Sequence, residues 1–231
     1  METKALKTCA IIVAAGSSSR MAAGDKMFIN IKGVPTVIRT LLKFENNSEI
    51  EKIIVVTRRE SIERIISLAE EYKITKLLRV VEGGKLRPYS VLNGIDTAKD
   101  FDVVLIHDGA RPLVSDRVIS DITAAAKEYG AAVPTVPVKD TTKVVGDDGF
   151  VVATPERSTL FAAQTPQGFL RSLYLKAAEC VGEEIEKITD DASLFEIAGY
   201  RVKTVEGDYK NIKITTDTDI AVAENYITEE L

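Results

Sequence analysis

Five times between residues 6 and 136 a short, mostly apolar run stands against a stretch of helical periodicity, and this alternation restricts the fold more than any other feature. The runs occupy residues 6–15, 52–57, 77–81, 102–106 and 131–136. An unbroken apolar run with no polar alternation is the pattern of a parallel strand buried on both faces. Pro35 predicts the opening of a helix with Val37, Ile38, Leu41 and Leu42 along one side. Ile62, Ile65, Ile66 and Ala69 follow the spacing of an amphipathic helix. A further helix is predicted over 87–99, after Gly83-Gly84. Ser115-Asp116 predicts a cap for a helix that places Val118, Ile122, Ala125 and Tyr129 on one face. Strands joined by helices of about a dozen residues require right-handed crossovers, and so a mostly parallel sheet covered on both sides. The expectation is a Rossmann-like three-layer α/β/α domain.

Beyond residue 136 the rhythm changes. Gly146-Asp147-Asp148-Gly149, between Thr142-Lys143-Val144-Val145 and Phe150-Val151-Val152, is a hairpin signal. A two-stranded ribbon is marginal in water unless something covers it. A second copy packing on it, giving a homodimer, is therefore expected; the alternative is a hairpin lying on its own domain. Gln164 to Gly168 reads as a loop, followed by a helix near 170–181 and another capped by Thr189, with Asp190 and Asp191 in its first turn and Gly199 at its end. Strands are predicted at 200–205 and 211–214, and Thr216-x-x-Asp219 resembles a capping box. With no repeat and no Ser/Gly linker, one domain over 1–231 with a β-arm at about 138–154 is expected.

With 231 residues and 45% hydrophobic content, the chain can build a core without disulfides or metals to staple it. A single histidine excludes His-rich metal sites and confines any hydrolase triad to His107. The net charge of −5 argues against general nucleic-acid affinity. The longest clean apolar run, 9–15, is too short for a membrane span. Cys9 and Cys180 both sit within apolar patterns, so a reducing, cytoplasmic setting is expected.

Ligands of open α/β sheets bind at the carboxyl ends of the strands. Ala14-Ala15-Gly16-Ser17-Ser18-Ser19-Arg20 with Lys26 is suited to phosphate: small residues let backbone N–H groups approach, and two cations follow. Its alternative is a mobile loop with solvated charges. Dinucleotide binding is disfavoured, because G-x-G-x-x-G is missing and the second strand ends in Thr57-Arg58-Arg59 without an acid for the ribose. Gly83-Gly84 after the third strand permits close approach of a flat ligand such as a base, or marks an ordinary turn. His107-Asp108-Gly109-Ala110-Arg111 suits a sugar hydroxyl, a metal-bound phosphate or a second anionic substrate, with His107 read as a satisfied strand-end residue. Lys213, inside an apolar stretch, either snorkels or meets an anion.

Taken in order, these segments together with Val136-Pro137-Val138-Lys139-Asp140-Thr141, Glu156-Arg157, Gln164-Thr165-Pro166-Gln167, Thr189-Asp190-Asp191-Ala192-Ser193 and Asn211-Ile212-Lys213-Ile214-Thr215 resemble the 2-C-methyl-D-erythritol 4-phosphate cytidylyltransferase family from about residue 8 to 229. The resemblance implies transfer of CMP from CTP to an alcohol phosphate with Mg²⁺. It implies Arg20 and Lys26 on the α-phosphate, and Arg157 and Lys213 on the methylerythritol phosphate. Ala14, Ala15, Gly16, Ser17, Gly84, Ser90, Asp108 and Gly109 would bind the nucleotide. Asp108 would also serve the metal and, with Arg111, Thr141, Thr165 and Thr189, the substrate pocket. The hairpin would be a dimer arm carrying Thr141 and Arg157 into the partner's site. Lys85 and Ser18 depart from the family pattern, standing where relatives often have Asp and Gly. Rival readings are a cytidylyltransferase for ribitol 5-phosphate or another polyol phosphate, a non-catalytic nucleotide-binding regulator, and a dinucleotide oxidoreductase.

Overall fold

The computed structural model describes residues 5–16 and 25–227. The five apolar runs are strands: β1 (Thr8–Val13), β4 (Lys52–Thr57), β5 (Leu77–Glu82), β6 (Val103–Asp108) and β7 (Ala131–Pro137). Between β1 and β4 lies a small pair, β2 (Asn30–Ile31) and β3 (Val34–Pro35), leading into α1 (Thr36–Glu45). Helices α2 (Ile62–Glu71), α3 (Arg87–Thr97) and α4 (Asp116–Tyr129) supply the later crossovers. Pro35 takes the N-cap of α1, and Ser115 caps α4 by accepting from the Val118 N–H.

With β10 at Phe161–Ala163 and β11 at Gln167–Leu170, strands run in the order β10-β7-β11-β6-β1-β4-β5, and β12 (Lys203–Glu206) lies parallel to β7. Pairings of β1 with β4 and β6, and of β4 with β5, are parallel. The three-layer α/β/α fold is therefore present. Alternation along β1 feeds both layers: Ala10 and Ile12 pack with Val37, Leu41 and Phe44 of α1, whereas Cys9, Ile11 and Val13 pack with Val91 and Ile95 of α3. The chain moves outward from β1 to β4 and β5, then returns to the other side of β1 as β6. That reversal fixes where a ligand crevice opens.

Four local expectations are corrected. Part of the expected loop is a strand, β11 (Gln167–Leu170), which runs antiparallel between β6 and β7; β10 (Phe161–Ala163) pairs with the end of β7. Gly168 makes the insertion possible, since an added Cβ would lie 2.7 Å from Ile122 Cγ2 and 3.0 Å from Ala126 Cβ. The segment 211–214 is not a strand; a single backbone bond, from Ile214 N–H to the Ala110 carbonyl (2.8 Å), stands in place of a ladder beside the end of β6. Asp190, not Thr189, caps α6 (Asp191–Ile197), accepting from the Ser193 N–H at 2.9 Å in a capping box. Tyr129 is exposed at the last turn of α4, where it ends beneath Lys203 rather than in the core.

The hairpin forms as β8 (Val144–Val145) paired with β9 (Val151–Ala153), and Gly149 supplies the positive φ of +81° its turn requires. Val144, Val145, Phe150, Val151 and Val152 are all exposed on it. The remaining helices are α5 (Arg171–Val181) and α7 (Asp217–Tyr226), the latter capped by Thr216 with Asp219 as expected. Among the described residues no helix is long and apolar enough to cross a membrane.

Candidate active site

A cavity of about 400 Å³ opens at the carboxyl ends of β1 and β6, at the reversal of strand order. Ala15 and Gly16, the second and third residues past β1, form one wall with Gly84 and Ser90. The second wall is local in origin: Ser90, in the first turn of α3, accepts from the Gly84 N–H at 3.1 Å and so folds the glycine pair back against the helix. Lys26 enters from the segment before β2. That segment is fastened by an ion pair between Asp25 and Arg58, and by the Met27 carbonyl accepting from Val37 at 2.9 Å. Asp108 and Lys213 close the far side, and Arg87 and Lys85 lie at the α3 end.

Asp108 is the electrostatic centre. Its Oδ2 meets Lys213 Nζ at 2.9 Å and Arg111 Nε at 3.3 Å, and its Oδ1 lies 4.0 Å from Arg87 Nε. Burial on its own would raise the carboxyl; the nearby charges of Lys213, Arg87 and Arg111 override it and hold the group well below the usual carboxylate range. Arg87 in turn reaches Asp191 Oδ2 at 2.7 Å, and the fully buried Tyr174 donates to Asp191 Oδ1 at 2.9 Å. Burial works against the Arg87 charge, but Asp191 and Asp108 more than compensate and keep it firmly protonated.

His107 is fully buried behind this centre. Its Nε2 lies 3.1 Å from the Arg111 carbonyl, which can only accept, so Nε2 carries the hydrogen. Nδ1 then accepts from the Thr165 hydroxyl at 2.9 Å, and that hydroxyl accepts from the Asp108 N–H at 3.1 Å. Burial pushes the imidazole pKa down to about 4, against the hydrogen bond to the Arg111 carbonyl and the nearby Asp108 charge. The ring is a neutral brace, every polar atom committed.

The loop that carries Lys213 is sewn to the same edge. Asn211 Nδ2 donates to the Thr165 carbonyl at 2.8 Å, and Arg111 Nη1 donates to the Asn211 carbonyl at 2.7 Å. Gln167 bridges onward, donating to Asp190 Oδ2 at 2.7 Å and accepting from the Ala192 N–H at 2.8 Å.

Of the expected site residues, Ala15, Gly16, Lys26, Gly84, Ser90, Asp108 and Lys213 share the cavity. Ala14 and Gly109 lie behind its wall, packed so closely that a Cβ on Gly109 would stand 3.1 Å from Ala14 Cβ. Arg111 and Thr165 brace Asp108 from the side. Thr141, Arg157 and Thr189 are exposed and are not among the cavity residues; Arg157 donates to the Lys139 carbonyl at 3.2 Å, at the base of the hairpin segment. Ser17 and Arg20 lie outside the described residues. Sequence reasoning missed Arg87 and Asp191 as a pair. Arg87 stood out as the start of a predicted helix, and Asp191, although inside a family motif, looked like an ordinary first-turn acid of α6.

The sequence model of the family described as IspD, 2-C-methyl-D-erythritol 4-phosphate cytidylyltransferase, matches residues 8–229. The chain belongs to this family. A cytidylyltransferase of that name from Clostridium novyi is 44% identical over 223 residues, covering 96% of each chain. One from Caldanaerobacter subterraneus is 45% identical, covering 96% of this chain and 99% of the relative. The crystal structure of 4-diphosphocytidyl-2C-methyl-D-erythritol synthase from Anaerococcus prevotii superposes with a TM-score of 0.85 at 34% identity, covering 97% of both. As a member of the cytidylyltransferase family the chain is a nucleotidyltransferase, and the dinucleotide oxidoreductase reading is set aside.

Proposed function

We propose that this chain transfers the cytidylyl group of CTP to 2-C-methyl-D-erythritol 4-phosphate, forming 4-diphosphocytidyl-2-C-methyl-D-erythritol and pyrophosphate on the non-mevalonate route to isoprenoid precursors. The observation that carries this reading is the cavity at the sheet's switch point, where Lys26, Arg87 and Lys213 gather around the single acid Asp108. A phosphate oxygen of the alcohol phosphate attacks the α-phosphorus of CTP; the new P–O bond forms as the bridging α–β P–O bond breaks, and its electron pair leaves with pyrophosphate. The attacking oxygen is already anionic, so no protein nucleophile or base is required, which suits a site whose one histidine is locked and neutral. Catalysis then consists of in-line positioning and charge stabilisation.

In this reading Lys26 and Arg20 stabilise the charge growing on the α-phosphate, and Lys213 and Arg157 hold the acceptor phosphate. Ala15, Gly16, Gly84 and Ser90 receive the cytidine, with Ala14, Ser17 and Gly109 shaping that wall. Arg111, Thr141, Thr165 and Thr189 serve the acceptor side. Asp108 orients the Lys213 ammonium, which has 40% of its side chain exposed and would otherwise wander.

Mg²⁺ fits this donor set in one manner. Among the described residues no group of three His, Cys, Asp or Glu side chains could cage a metal, and Asp108 is the only acid of the cavity. Magnesium is commonly held by one or two carboxylates, phosphate oxygens and water. Asp108 would thus be its one protein ligand, the triphosphate supplying most of the others. When bound, the ion would neutralise phosphate charge.

We assign the chain to one domain whose hairpin, at about 138–154, is the arm of a homodimer. Five exposed apolar side chains on a two-stranded ribbon support this, as does Arg157, which lies outside its own protomer's cavity. Delivery of Thr141 and Arg157 into the partner's site would complete both active sites. The free thiols of Cys9 and Cys180 support a cytoplasmic setting. The test is pyrophosphate release from CTP with a panel of alcohol phosphates: fastest turnover on methylerythritol phosphate is expected, and faster turnover on ribitol 5-phosphate would replace this acceptor with the polyol.

A further inference from the structure

Past Val138 the hairpin segment has few ties to the body of the protein. The Val138 N–H bonds to the Leu160 carbonyl at 3.1 Å, and residues 139–145 are all exposed. Among the described residues no hydrogen bond or ion pair runs from 140–156 to the central sheet or the α-helices that flank it. Tyr209 supplies the tie. Its hydroxyl donates to the Pro137 carbonyl at 2.7 Å, where β7 ends, and Lys139 Nζ lies 3.9 Å from the centre of its ring. The Lys139 carbonyl in turn accepts from Arg157 Nη1 at 3.2 Å, so Tyr209 grips the residue on which Arg157 rests.

We propose that Tyr209 is the positioning residue of the arm, setting the direction in which the hairpin leaves its own protomer and so placing Arg157 in the partner's cavity. The inference rests on the reading that the hairpin is a dimer arm that carries Arg157 across. Two features make Tyr209 a fixed anchor and the arm its load. The neighbouring Asp208 is clasped at both backbone polar atoms by the buried Gln164, whose Nε2 donates to the Asp208 carbonyl at 2.8 Å and whose Oε1 accepts from the Asp208 N–H at 3.2 Å. Farther along, the loop that carries Lys213 is held by Asn211, Arg111 and the Ile214 N–H without help from Tyr209. Loss of the tyrosine therefore frees the root of the arm and spares the loop. A single hydrogen bond and an ammonium–ring contact are each modest, so the effect is a fewfold loss of alignment and not a collapse.

Tyr209 then acts on the partner's site and not on its own. In a mixed dimer of Arg157→Ala and Lys213→Ala chains, the one intact site joins the cavity of the first chain to the arm of the second. Tyr209→Ala is added to either chain in turn, and KM for CTP and for methylerythritol phosphate is measured at the recovered site. Native mass spectrometry counts the mixed dimers, and melting temperature controls for folding. On the Lys213→Ala chain the change should raise KM for methylerythritol phosphate by about five- to tenfold and leave KM for CTP in place. On the Arg157→Ala chain it should alter either KM by less than about twofold. Tyr209→Phe, which keeps the ring, should show the same asymmetry at about two- to threefold, and it carries the comparison if Tyr209→Ala does not fold. Equal losses from both chains would overturn the proposal, as would no loss from either. So would a loss confined to the Arg157→Ala chain, which would make Tyr209 a support for Lys213. Failure of the parent pair to recover activity would instead remove the arm reading, and the proposal with it.

Discussion

Lys213 Nζ lies 2.9 Å from Asp108 Oδ2, although one residue ends the strand β6 and the other sits on an irregular loop near the C-terminal helix. The loop reaches that point because Asn211 is clamped between the Thr165 carbonyl and Arg111, and Ile214 N–H is bonded to the Ala110 carbonyl. Asp108 therefore governs a cation it does not neighbour in the chain. Removing one partner of a buried charge cluster costs about 3–5 kcal/mol, mostly through the charges left behind. Asp108→Asn would leave Lys213, Arg111 and Arg87 facing one another. It should lower kcat/KM by about 100-fold or more and move the urea midpoint downward. Activity within tenfold of the unaltered enzyme would dismiss Asp108 as the organising group.

The buried imidazole predicts acid sensitivity. An unfolded chain protonates His107 near 6.5, but the folded protein resists until about pH 4. Between those values the unfolded state binds the extra proton, so stability falls as pH is lowered through that window and is unaffected above it. The difference amounts to about 3 kcal/mol over the window. In His107→Gln, whose side-chain amide can still donate to the Arg111 carbonyl, urea melts between pH 7 and 4 should show a correspondingly shallower loss. Parallel curves for the two proteins would contradict the burial argument.

The proposed dimer arm, carrying Arg157 into the partner's site, predicts complementation. Arg157→Ala and Lys213→Ala homodimers should each be nearly inactive. Mixed and allowed to exchange subunits, they should regain about a quarter of full activity, because half the dimers are mixed and each has one intact site. No recovery, with exchange verified by native mass spectrometry, would place Arg157 in its own protomer's chemistry or in none.

Gly168 predicts a packing defect. A methyl group there meets Ile122 Cγ2, Leu105 Cδ2 and Ala126 Cβ at 2.7, 2.9 and 3.0 Å, all inside the core. Overpacking of this kind typically costs about 1–3 kcal/mol. Gly168→Ala should lower stability by that amount in chemical denaturation; an unchanged midpoint would mean that β11 can shift.

The parallel half of the sheet was legible because β1, β4 and β6 are buried on both faces and so are largely apolar, whereas the edge strand β5 leaves Leu78 and Arg79 exposed. The antiparallel strand β11 was not legible. It is four residues long and begins with Gln167, whose burial is tolerable only because Asp190 and Ala192, far along the chain, satisfy its amide. Asn211-Ile212-Lys213-Ile214 alternates as a strand should, but it lacks a partner ladder. Lys26, Gly84 and Asp108 were legible because they stand at or beyond strand ends, Lys213 because a charge interrupts an apolar stretch, and Ser90 through the family resemblance. Asp191 stayed hidden because a buried acid and a solvated first-turn acid look alike until the guanidinium facing it is known.

Reversal of β11 between β6 and β7 has an outcome for how such an enzyme diversifies. Its entry residues, Gln164 and Thr165, come to rest beside the exit of β6, so the support behind Asp108 is built from the start of a strand while the cavity wall is built from the loops after β1 and β5. These two parts share few covalent neighbours. Under the proposed reading, substitutions at Gln164 and Thr165 would redraw the acceptor side while leaving the grip on the nucleotide untouched.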